Sequence, residues 1–323
     1  MQLSIIVPCK RRNDPQLARF LASVKQQTFA DYEVLIETEG NSEEAKCHGI
    51  LKAQGDILGF FCADNDLRDR HFLREMVWYA SQPQVTGAYT AQYDYVPTDK
   101  PLSRYFALLG ANDPLCWWLG KADRRSYLEN GCTMARSFTP MERLPSLGDN
   151  GCFLKRALVL QTHPRPEVFG SCMCLCEDLR RLGHATYWVV AEQKLWHRTG
   201  EDFWGYFRRR WRYVNDLYFA RFSTRRWVMV QTRRDWWGVL TFMLASLSFL
   251  PQVFVAGYGY FRVRDRVWVL HPVVCWLLTW LYGVAWLKDC WTQGWDSTLH
   301  AFTWHGWGVE CEQCRKYGWR YRY

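Results

Sequence analysis

The sequence lacks the patterns that mark secreted proteins and nucleic-acid-binding proteins. Residues Met1 to Lys10 do not form the apolar core of a secretory signal, and a strand is predicted to begin at once. We therefore expect the 13 cysteines to be reduced, cytosolic thiols and not a disulfide framework. The excess of 41 Lys and Arg over 32 Asp and Glu is modest, and no RNA- or DNA-binding signature accompanies it. Nucleic acid is therefore not an expected partner.

The sequence also lacks a complete set of zinc ligands. Cys311 and Cys314 form one C-x-x-C pair with His300 and His305 upstream, but no second such pair follows. Structural zinc sites are closed by four ligands at regular spacing, so these residues leave zinc binding only as an alternative. The ordinary interpretation is a basic, aromatic tail at a membrane interface, ending in Tyr317–Tyr323.

Tryptophan and long uncharged runs are abundant instead. The chain has 19 Trp among 323 residues, and indole rings prefer the membrane interface. Trp236 to Tyr258 and Val267 to Leu287 contain no charged residue. As straight helices they would extend roughly 30 to 35 Å, enough to cross a hydrocarbon core. We therefore interpret residues 226–323 as a membrane-associated helical region whose hydrophobic segments are 236–258 and 267–287.

Two features of these runs keep alternatives to a spanning hairpin open. Pro251 and Pro272 interrupt them, so each can be kinked or divided. A spanning hairpin would also carry Arg262, Arg264 and Arg266 across the membrane, against the positive-inside tendency. A re-entrant or interfacial hairpin keeps these arginines at the cytosolic headgroups, and a buried soluble core is a third possibility. The first two arrangements both predict attachment to the cytosolic face of a membrane.

Strands and helices alternate from Leu3 to Asp64. Leu3–Pro8 is a β-branched run, Pro15–Gln27 has helical spacing, and Asp31–Glu37 and Gly55–Asp64 read as further strands. This order predicts an α/β fold with a doubly wound, mostly parallel sheet flanked by helices. Ligands of such sheets bind beyond the carboxyl ends of the strands. Three polar loops fall there: Pro8-Cys9-Lys10, Glu37-Thr38-Glu39 and Asp64-Asn65-Asp66.

The third predicted strand ends in two carboxylates two residues apart. On an extended segment Asp64 and Asp66 point to the same side, so both can reach one hard metal ion. Such an ion would neutralise a diphosphate and stabilise the charge that builds on a leaving group. The alternative is an acidic turn that begins a solvated loop.

Together these motifs resemble the family 2 glycosyltransferases of the GT-A fold, whose Rossmann-like sheet is mixed and mostly parallel. The resemblance implies that residues 1–225 are a catalytic domain and that the reaction inverts the anomeric centre. The matching segments follow in the family's order: Ser4–Pro8, Gln26–Phe29, Tyr32–Ile36, Ala45–Ile50, Gly55–Asp66, Gly148–Arg156, Glu177–His184 and Leu195–Arg198.

The resemblance implies a nucleoside-diphosphate sugar, UDP- or GDP-linked, as the donor and Mg²⁺ or Mn²⁺ as the cofactor. The family's first acidic position falls on Cys62, and a thiol is a poor ligand for either ion. Asp64 is thus the expected metal ligand, with Asp66 and His197 as further candidates; His197 is alternatively a structural residue at a strand end. The implied donor-binding residues are Pro8, Lys10, Glu37, Glu39, Lys46, Ala63, Asp64 and Arg210. For the arginines at 208–212 a solvated basic face is the alternative.

The resemblance also assigns the catalytic and acceptor-binding residues. A carboxylate must take the proton of the acceptor hydroxyl, and the family's base falls on Asp178, with Glu177 as its substitute. These two acids can equally begin a helix and complement its dipole. The Cys172, Cys174 and Cys176 alternation suggests a half-buried strand or loop just before them. The implied acceptor-binding residues are Asp149, Asn150, Gly151 and Trp211.

We therefore expect a metal-dependent, inverting glycosyltransferase on the cytoplasmic face of a membrane, with a membrane-linked glycan or a lipid-linked acceptor. A polyprenyl-phosphate glycosyltransferase is the alternative within this class, because its phosphate acceptor needs no base at Asp178. A catalytically impaired, nucleotide-sugar-binding scaffold is the alternative from another class, and Cys62 in place of an acid is the reason to consider it.

Overall fold

The computed structural model describes residues 1–139, 142, 144–199, 202–219 and 225–293. Cys311 and Cys314, with His300 and His305, lie outside the described residues, as does the aromatic tail Tyr317–Tyr323. The zinc alternative and the interfacial role of the tail therefore stay predictions.

Among the described residues, eight strands form one mixed sheet. The pairs β1–β2, β1–β3 and β5–β8 are parallel, whereas β7 runs antiparallel between β3 and β5. The order is β2-β1-β3-β7-β5-β8-β4, and β6 also pairs with β8. The strands are β1 Leu3–Pro8, β2 Tyr32–Glu37, β3 Ile57–Phe60, β4 Asn65–Asp66, β5 Gly87–Asp94, β6 Met134–Ser137, β7 Cys152–Lys155 and β8 Thr186–His197.

Helices connect these strands, and further helices follow the last strand. They are α1 Pro15–Lys25, α2 Ser42–Lys52, α3 Phe72–Ser81, α4 Pro101–Leu109, α5 Pro114–Trp118, α6 Arg156–Leu160, α7 Cys172–Arg181, α8 Phe203–Arg212, α9 Arg233–Ser248, α10 Leu250–Val263 and α11 Leu270–Gln293. A π-helical segment, Tyr213–Phe219, follows α8, and a short 3-10 helix, Arg266–Val269, precedes α11. The predicted α/β class, with a sheet flanked by helices, is confirmed.

Both faces of the sheet are buried, which explains why β1 is mostly apolar. Ile6 belongs to the apolar cluster on one face, while Leu3, Ile5 and Val7 belong to the cluster on the other. Side chains of a strand alternate between faces, so a strand covered on both sides is mostly apolar, and the buried Ser4 donates a hydrogen bond to Glu33 at 2.6 Å. β3 spans only Ile57–Phe60 and thus ends before the predicted limit at Asp64.

The C-terminal hydrophobic segments differ from two straight helices. The first is bent by 88° between α9 and α10, next to Pro251 in the first turn of α10. The second is continuous, since Pro272 falls in the first turn of α11, where a backbone N–H has no helical partner. Among the described residues one helical stretch, Arg266–Thr292, has the length and hydropathy to cross a membrane, or two if the bent pair counts as one.

Candidate active site

The carboxyl ends of β1, β2 and β3 lie side by side, as the strand order predicts. Pro8 at the end of β1 is the register partner of Glu37 at the end of β2. The Glu37 carboxylate is buried and accepts hydrogen bonds from Lys52 of α2 at 2.7 and 3.0 Å. Lys10 and Glu39, on the loops after β1 and β2, are exposed. Of the two glutamates, Glu39 is therefore the one available to a ligand.

Asp64 is positioned by the short strand β4, which pairs with the end of β8. Asn65 lies opposite His197 in this pairing, and Asp64 Oδ1 is 3.4 Å from His197 Nε2. Burial alone would raise the pKa of Asp64, but the charge of His197 and a hydrogen bond from its ring outweigh burial and lower that pKa below its ordinary value. Ala63, just before Asp64, packs against the sheet core.

The Asp64–His197 pair fits a divalent cation. Two ligands at right angles, each about 2.2 Å from one ion, lie about 3.1 Å apart, close to the observed 3.4 Å. A carboxylate oxygen with an imidazole nitrogen is a ligand set that a divalent cation can use. Burial, together with Asp64, raises the pKa of the Cys62 thiol.

Asp66 points to a different partner. It lies on β4 opposite Trp196, and its Oδ2 is 3.5 Å from a guanidinium nitrogen of Arg198. The same guanidinium lies 3.7 Å from the centre of the Trp196 ring. Asp66 is thus paired with a cation of the protein, and its predicted role as a second metal ligand stays a prediction.

Lys46 of α2 joins a buried cluster with the loop that precedes β7. Its Nζ is 2.7 Å from Asp149 Oδ1 and 3.1 Å from Glu43 Oε1. Burial alone would lower the pKa of Lys46, but these two carboxylates raise it well above its ordinary value. With Cys172 the two acids form the one group of three potential metal ligands within 4.8 Å of one another among the described residues. The ammonium of Lys46 thus neutralises protein carboxylates.

The predicted acceptor segment lies directly beside Asp64. The backbone carbonyl of Asp149 is 3.9 Å from Cys62 Sγ, and Asn150 Oδ1 accepts a hydrogen bond from Asn65 at 3.2 Å. Gly151 has φ +60°, and a Cβ there would lie 2.9 Å from a Leu195 side-chain carbon. The Asp149 side chain is 26% exposed, so its carboxylate keeps partial access to solvent although it is bonded to Lys46.

Glu177 and Asp178 lie in the second half of α7. Because α7 begins at Cys172, the expectation that these acids begin a helix is wrong, as is the strand or loop expected for the cysteine alternation. Cys172 belongs to the buried cluster around Lys46. At 1.5 Å per residue, Asp178 lies about 9 Å from Cys172 along the helix axis and thus away from that cluster. Both its oxygens accept hydrogen bonds from Arg226 Nε, at 2.8 and 2.7 Å. Burial raises the pKa of Asp178 more than the Arg226 charge lowers it.

The arginines of α8 divide between buried and crevice-facing positions. Arg210 is 2.8 Å from Asp113 Oδ2 and is held in the protein interior. Arg209 instead acts on Asp64, where its charge contributes to lowering the pKa of the carboxyl, and it donates a hydrogen bond to the Thr199 carbonyl at 2.7 Å. Sequence reasoning missed Arg209, because the phase of a helix decides which neighbouring arginine faces a site.

Trp211 lines an open cleft on α8. The cleft has a volume of about 620 Å³ and is lined by Trp204, Phe207, Arg208, Trp211 and Arg212. Lys288 of α11 lies 5.7 Å from the centre of the Trp211 ring. The cleft therefore adjoins the C-terminal helices.

Asp123 is a second residue near the site that is not among the predicted site residues. Its carboxylate accepts a hydrogen bond from the Tyr93 hydroxyl, and the Tyr93 ring lies 5.4 Å from the His197 ring. Burial raises the pKa of Asp123 against the opposing charge of Arg124. These contacts orient the side chains behind His197.

No protein-family model and no curated protein sequence matches the chain. Solved structures of similar shape include a mannosyltransferase, PcManGT from Pyrobaculum calidifontis in complex with GDP-Man and Mn²⁺, which is 14% identical with a TM-score of 0.48 and covers 90% of this chain and 87% of that chain. S. aureus TarS 1–349 is 12% identical with a TM-score of 0.46 and covers 91% and 92%. Its complex with UDP-GlcNAc has 12% identity, the same coverage and a TM-score of 0.43. The function proposed below rests on the residues of the crevice.

Proposed function

We propose that this chain is a metal-dependent, inverting glycosyltransferase that takes its sugar from a nucleoside diphosphate. The observation that carries the proposal is the Asp64–His197 pair, 3.4 Å apart at the carboxyl edge of parallel strands. A divalent cation bound there would neutralise the donor diphosphate and stabilise the charge on the departing nucleoside diphosphate. Sheets of this type bind ligands at this edge.

The donor occupies the crevice above β1 and β2. Glu39 is proposed to accept hydrogen bonds from the base or the ribose, because Glu37 is already bonded to Lys52. Lys10 and Arg209 are the cations proposed to contact the diphosphate; both are exposed, whereas Arg210 is bonded to Asp113. Lys46 contributes indirectly, because it holds the loop that carries Asp149.

Two carboxylates are candidates for the base, and the geometry favours Asp149. In an inverting transfer the acceptor oxygen loses its proton to the base and bonds to the anomeric carbon, while the carbon–oxygen bond to the diphosphate breaks and its electrons leave with the diphosphate. Asp149 adjoins Cys62, two residues before Asp64, while the two candidate side chains are similarly exposed, at 26% for Asp149 and 21% for Asp178. Asp178, the base that the sequence predicts, is bonded through both oxygens to Arg226.

The acceptor is proposed to be a membrane-linked glycan or a lipid-linked intermediate. The aromatic cleft around Trp211 adjoins α11, so an acceptor could reach the crevice along the side of the protein that carries its apolar helices. Nucleotide sugars are made in the cytosol, and the catalytic domain is therefore proposed to lie on the cytoplasmic face.

Nucleotide binding tests the proposed function most directly. Isothermal titration with UDP and with GDP, each with and without Mn²⁺, should show binding that depends on the ion. Asp64→Ala should weaken that binding by about tenfold or more, since it removes a charged ligand. Asp31→Ala is the matched control, because its side chain is 62% exposed at the far end of β2.

Two results would redirect the proposal. Binding of equal strength without metal, or in Asp64→Ala, would remove Asp64 from the metal site. Metal-dependent binding of UDP-GlcNAc or GDP-Man without hydrolysis or transfer would favour the nucleotide-sugar-binding scaffold over the enzyme.

A further inference from the structure

The three C-terminal helices expose an unusual amount of apolar surface. Trp237 and Leu244 of α9 are 58% and 59% exposed, Phe254 and Phe261 of α10 are each 69% exposed, and Trp280 of α11 is 53% exposed. In each helix exposed apolar residues recur every three or four positions, which places them along one stripe. Soluble proteins rarely expose large apolar patches without a partner.

The exposed stripes join into one apolar face. The Phe249 ring, at the bend between α9 and α10, lies 6.5 Å from the Trp276 ring of α11. Trp276 in turn lies 6.1 Å from the Trp280 ring. Each of the three helices also packs against the other two. Aromatic side chains therefore connect the stripes across the helix boundaries.

Exposed arginines border this face, whereas its nearest acids are neutralised by the protein. Arg233 and Arg234 are exposed at the start of α9, and Arg262, Arg264 and Arg266 are exposed around the turn between α10 and α11. The acidic neighbours of these arginines turn inward to ion pairs, Asp235 with Lys121 at 2.9 Å and Asp265 with Arg104 at 3.0 Å. A basic border of this kind attracts anionic lipid headgroups.

Contacts along the length of α11 oppose a membrane-spanning arrangement. His271 Nδ1 is 2.7 Å from the Tyr105 hydroxyl, and the Tyr282 hydroxyl donates to Asp113 at 2.6 Å. Lys288 Nζ donates to Asn215 Oδ1 at 3.3 Å. The positions from 271 to 288 extend about 26 Å along a helix, nearly the thickness of a hydrocarbon core.

If α11 crossed a bilayer, its polar partners would have to enter the hydrocarbon with it. Asp113 is also bonded to Arg210, so a buried ion pair of α5 and α8 would move into the membrane. Charged groups at that depth are costly. The separate helices α9 and α10, of 16 and 14 residues, are too short to cross and meet at 88°. Helices that are apolar on one side and attached to a domain on the other lie in the interface.

We infer that α9, α10 and α11 bind the surface of an anionic lipid bilayer through this apolar face, which lies in the plane of the membrane and does not cross it. Membrane attachment belongs to the proposed function; the in-plane arrangement goes further and determines how the crevice is presented to a lipid-linked acceptor. The experiments below measure lipid binding and membrane topology, and they need neither a sugar donor nor catalytic turnover. The in-plane arrangement can therefore be disproved while the proposed enzymatic function still holds.

Vesicle flotation of the full chain tests the face. The wild type should float with vesicles of phosphatidylcholine mixed with phosphatidylglycerol, and less with vesicles of pure phosphatidylcholine. The double variant Leu244→Glu with Phe254→Glu should lower the partition to the anionic vesicles by about tenfold or more, because two apolar side chains leave the lipid. Trp78→Glu with Leu182→Glu is the control, since these residues are 58% and 50% exposed outside the face.

Trypsin treatment of sealed inside-out membrane vesicles from expressing cells distinguishes an in-plane face from a spanning hairpin. The in-plane arrangement predicts cleavage at Arg262–Arg266 without detergent, together with cleavage of the catalytic domain. Protection of Arg262–Arg266 until detergent is added, while the catalytic domain is cut, would overturn the inference.

Two further outcomes would also overturn it. A wild type that melts normally but does not float with either vesicle has no lipid-binding face. The second outcome is a wild type that does not float with vesicles but sediments as a dimer. If the double variant Leu244→Glu with Phe254→Glu is then a monomer, the face binds a second copy of the chain and not a lipid bilayer.

Discussion

At the scale of single residues, the chemistry of the crevice depends on which carboxylates are bonded to protein cations. Asp178 is bonded through both oxygens to Arg226, and Asp66 is paired with Arg198. Asp64 faces His197, and Asp149 is bonded to Lys46 through one oxygen while its side chain stays partly exposed. The two side chains are similarly exposed, Asp149 by 26% and Asp178 by 21%, so their position and bonding separate them: Asp149 adjoins Cys62, whereas both oxygens of Asp178 are bonded to Arg226.

We predict that Asp149→Asn lowers kcat by about 10² to 10⁴-fold with little change in KM, because a general base supplies acceleration of that size. Asp178→Asn should lower kcat by less than about tenfold, but it should cost about 2 kcal/mol of stability because the Arg226 guanidinium loses its charged partner. The measurements are initial rates of transfer or donor hydrolysis and urea unfolding of both variants.

The reverse pattern, with Asp178→Asn inactive and Asp149→Asn active, would restore the base predicted from the sequence. Near-full activity of both variants would favour a phosphate acceptor, which needs no base.

The sequence indicates Asp64 and His197, but it does not indicate which cationic side chain lies near them. Asp64 follows a buried strand, and its position can be read from the apolar run before it. Arg209 and Arg210 are adjacent in sequence, yet only the phase of α8 puts Arg209 near Asp64 and Arg210 in the interior. Arg226 is 48 residues from Asp178, and no local pattern reports that contact.

At the scale of elements, predictions from periodicity hold where one face or both faces of an element are clearly buried. β1 and β2 have the predicted positions because their apolar runs end at a proline and at a glutamate. α7 was not predicted at Cys172, because alternating cysteines are equally compatible with a strand; the Ser171 side chain begins this helix by accepting a hydrogen bond from Cys174 N. Short apolar runs do not distinguish the two.

His271 connects α11 with α10 and with α4, which lies outside the C-terminal region. Its ring contacts the Tyr105 hydroxyl of α4 at 2.7 Å and Gln252 Oε1 of α10 at 3.0 Å, and it lies itself on α11. Burial lowers the pKa of His271 to about 3, against about 6.5 in an unfolded chain. Between these values the unfolded chain binds a proton that the folded chain does not, so stability falls as the pH falls.

We predict that the free energy of unfolding decreases by up to about 1.4 kcal/mol per pH unit below pH 6.5 because of this one group. His271→Gln keeps an amide in hydrogen-bonding reach but cannot titrate, so it should remove that part of the pH dependence. Urea midpoints of both proteins from neutral pH to about pH 4 measure the difference. His184→Gln, a partly exposed histidine outside these helices, is the control; equal slopes in wild type and His271→Gln would contradict the assignment.

At the scale of the whole molecule, the crevice and the apolar face are separate surfaces of one chain. Asp64 lies at the carboxyl edge of the sheet, whereas Leu244 and Phe254 are exposed on α9 and α10. α8 lies between them: its Arg209 acts on Asp64, and its Trp211 adjoins Lys288 of α11. If both proposals hold, this arrangement would bring a membrane-bound acceptor near the crevice without lipid contact by the proposed nucleotide-binding residues.

We predict a double dissociation between the two surfaces, because substitutions at distant sites without shared partners act independently. Leu244→Glu with Phe254→Glu should bind UDP or GDP with Mn²⁺ within about twofold of the wild type, although it floats poorly. Asp64→Ala should lose that nucleotide binding and still float with anionic vesicles like the wild type. Titration and flotation on the same preparations measure both properties. The contrary result is that the double variant Leu244→Glu with Phe254→Glu keeps its melting temperature but loses nucleotide binding. The apolar face and the crevice would then be coupled, and α8, which lies between them, would be the element that transmits the change.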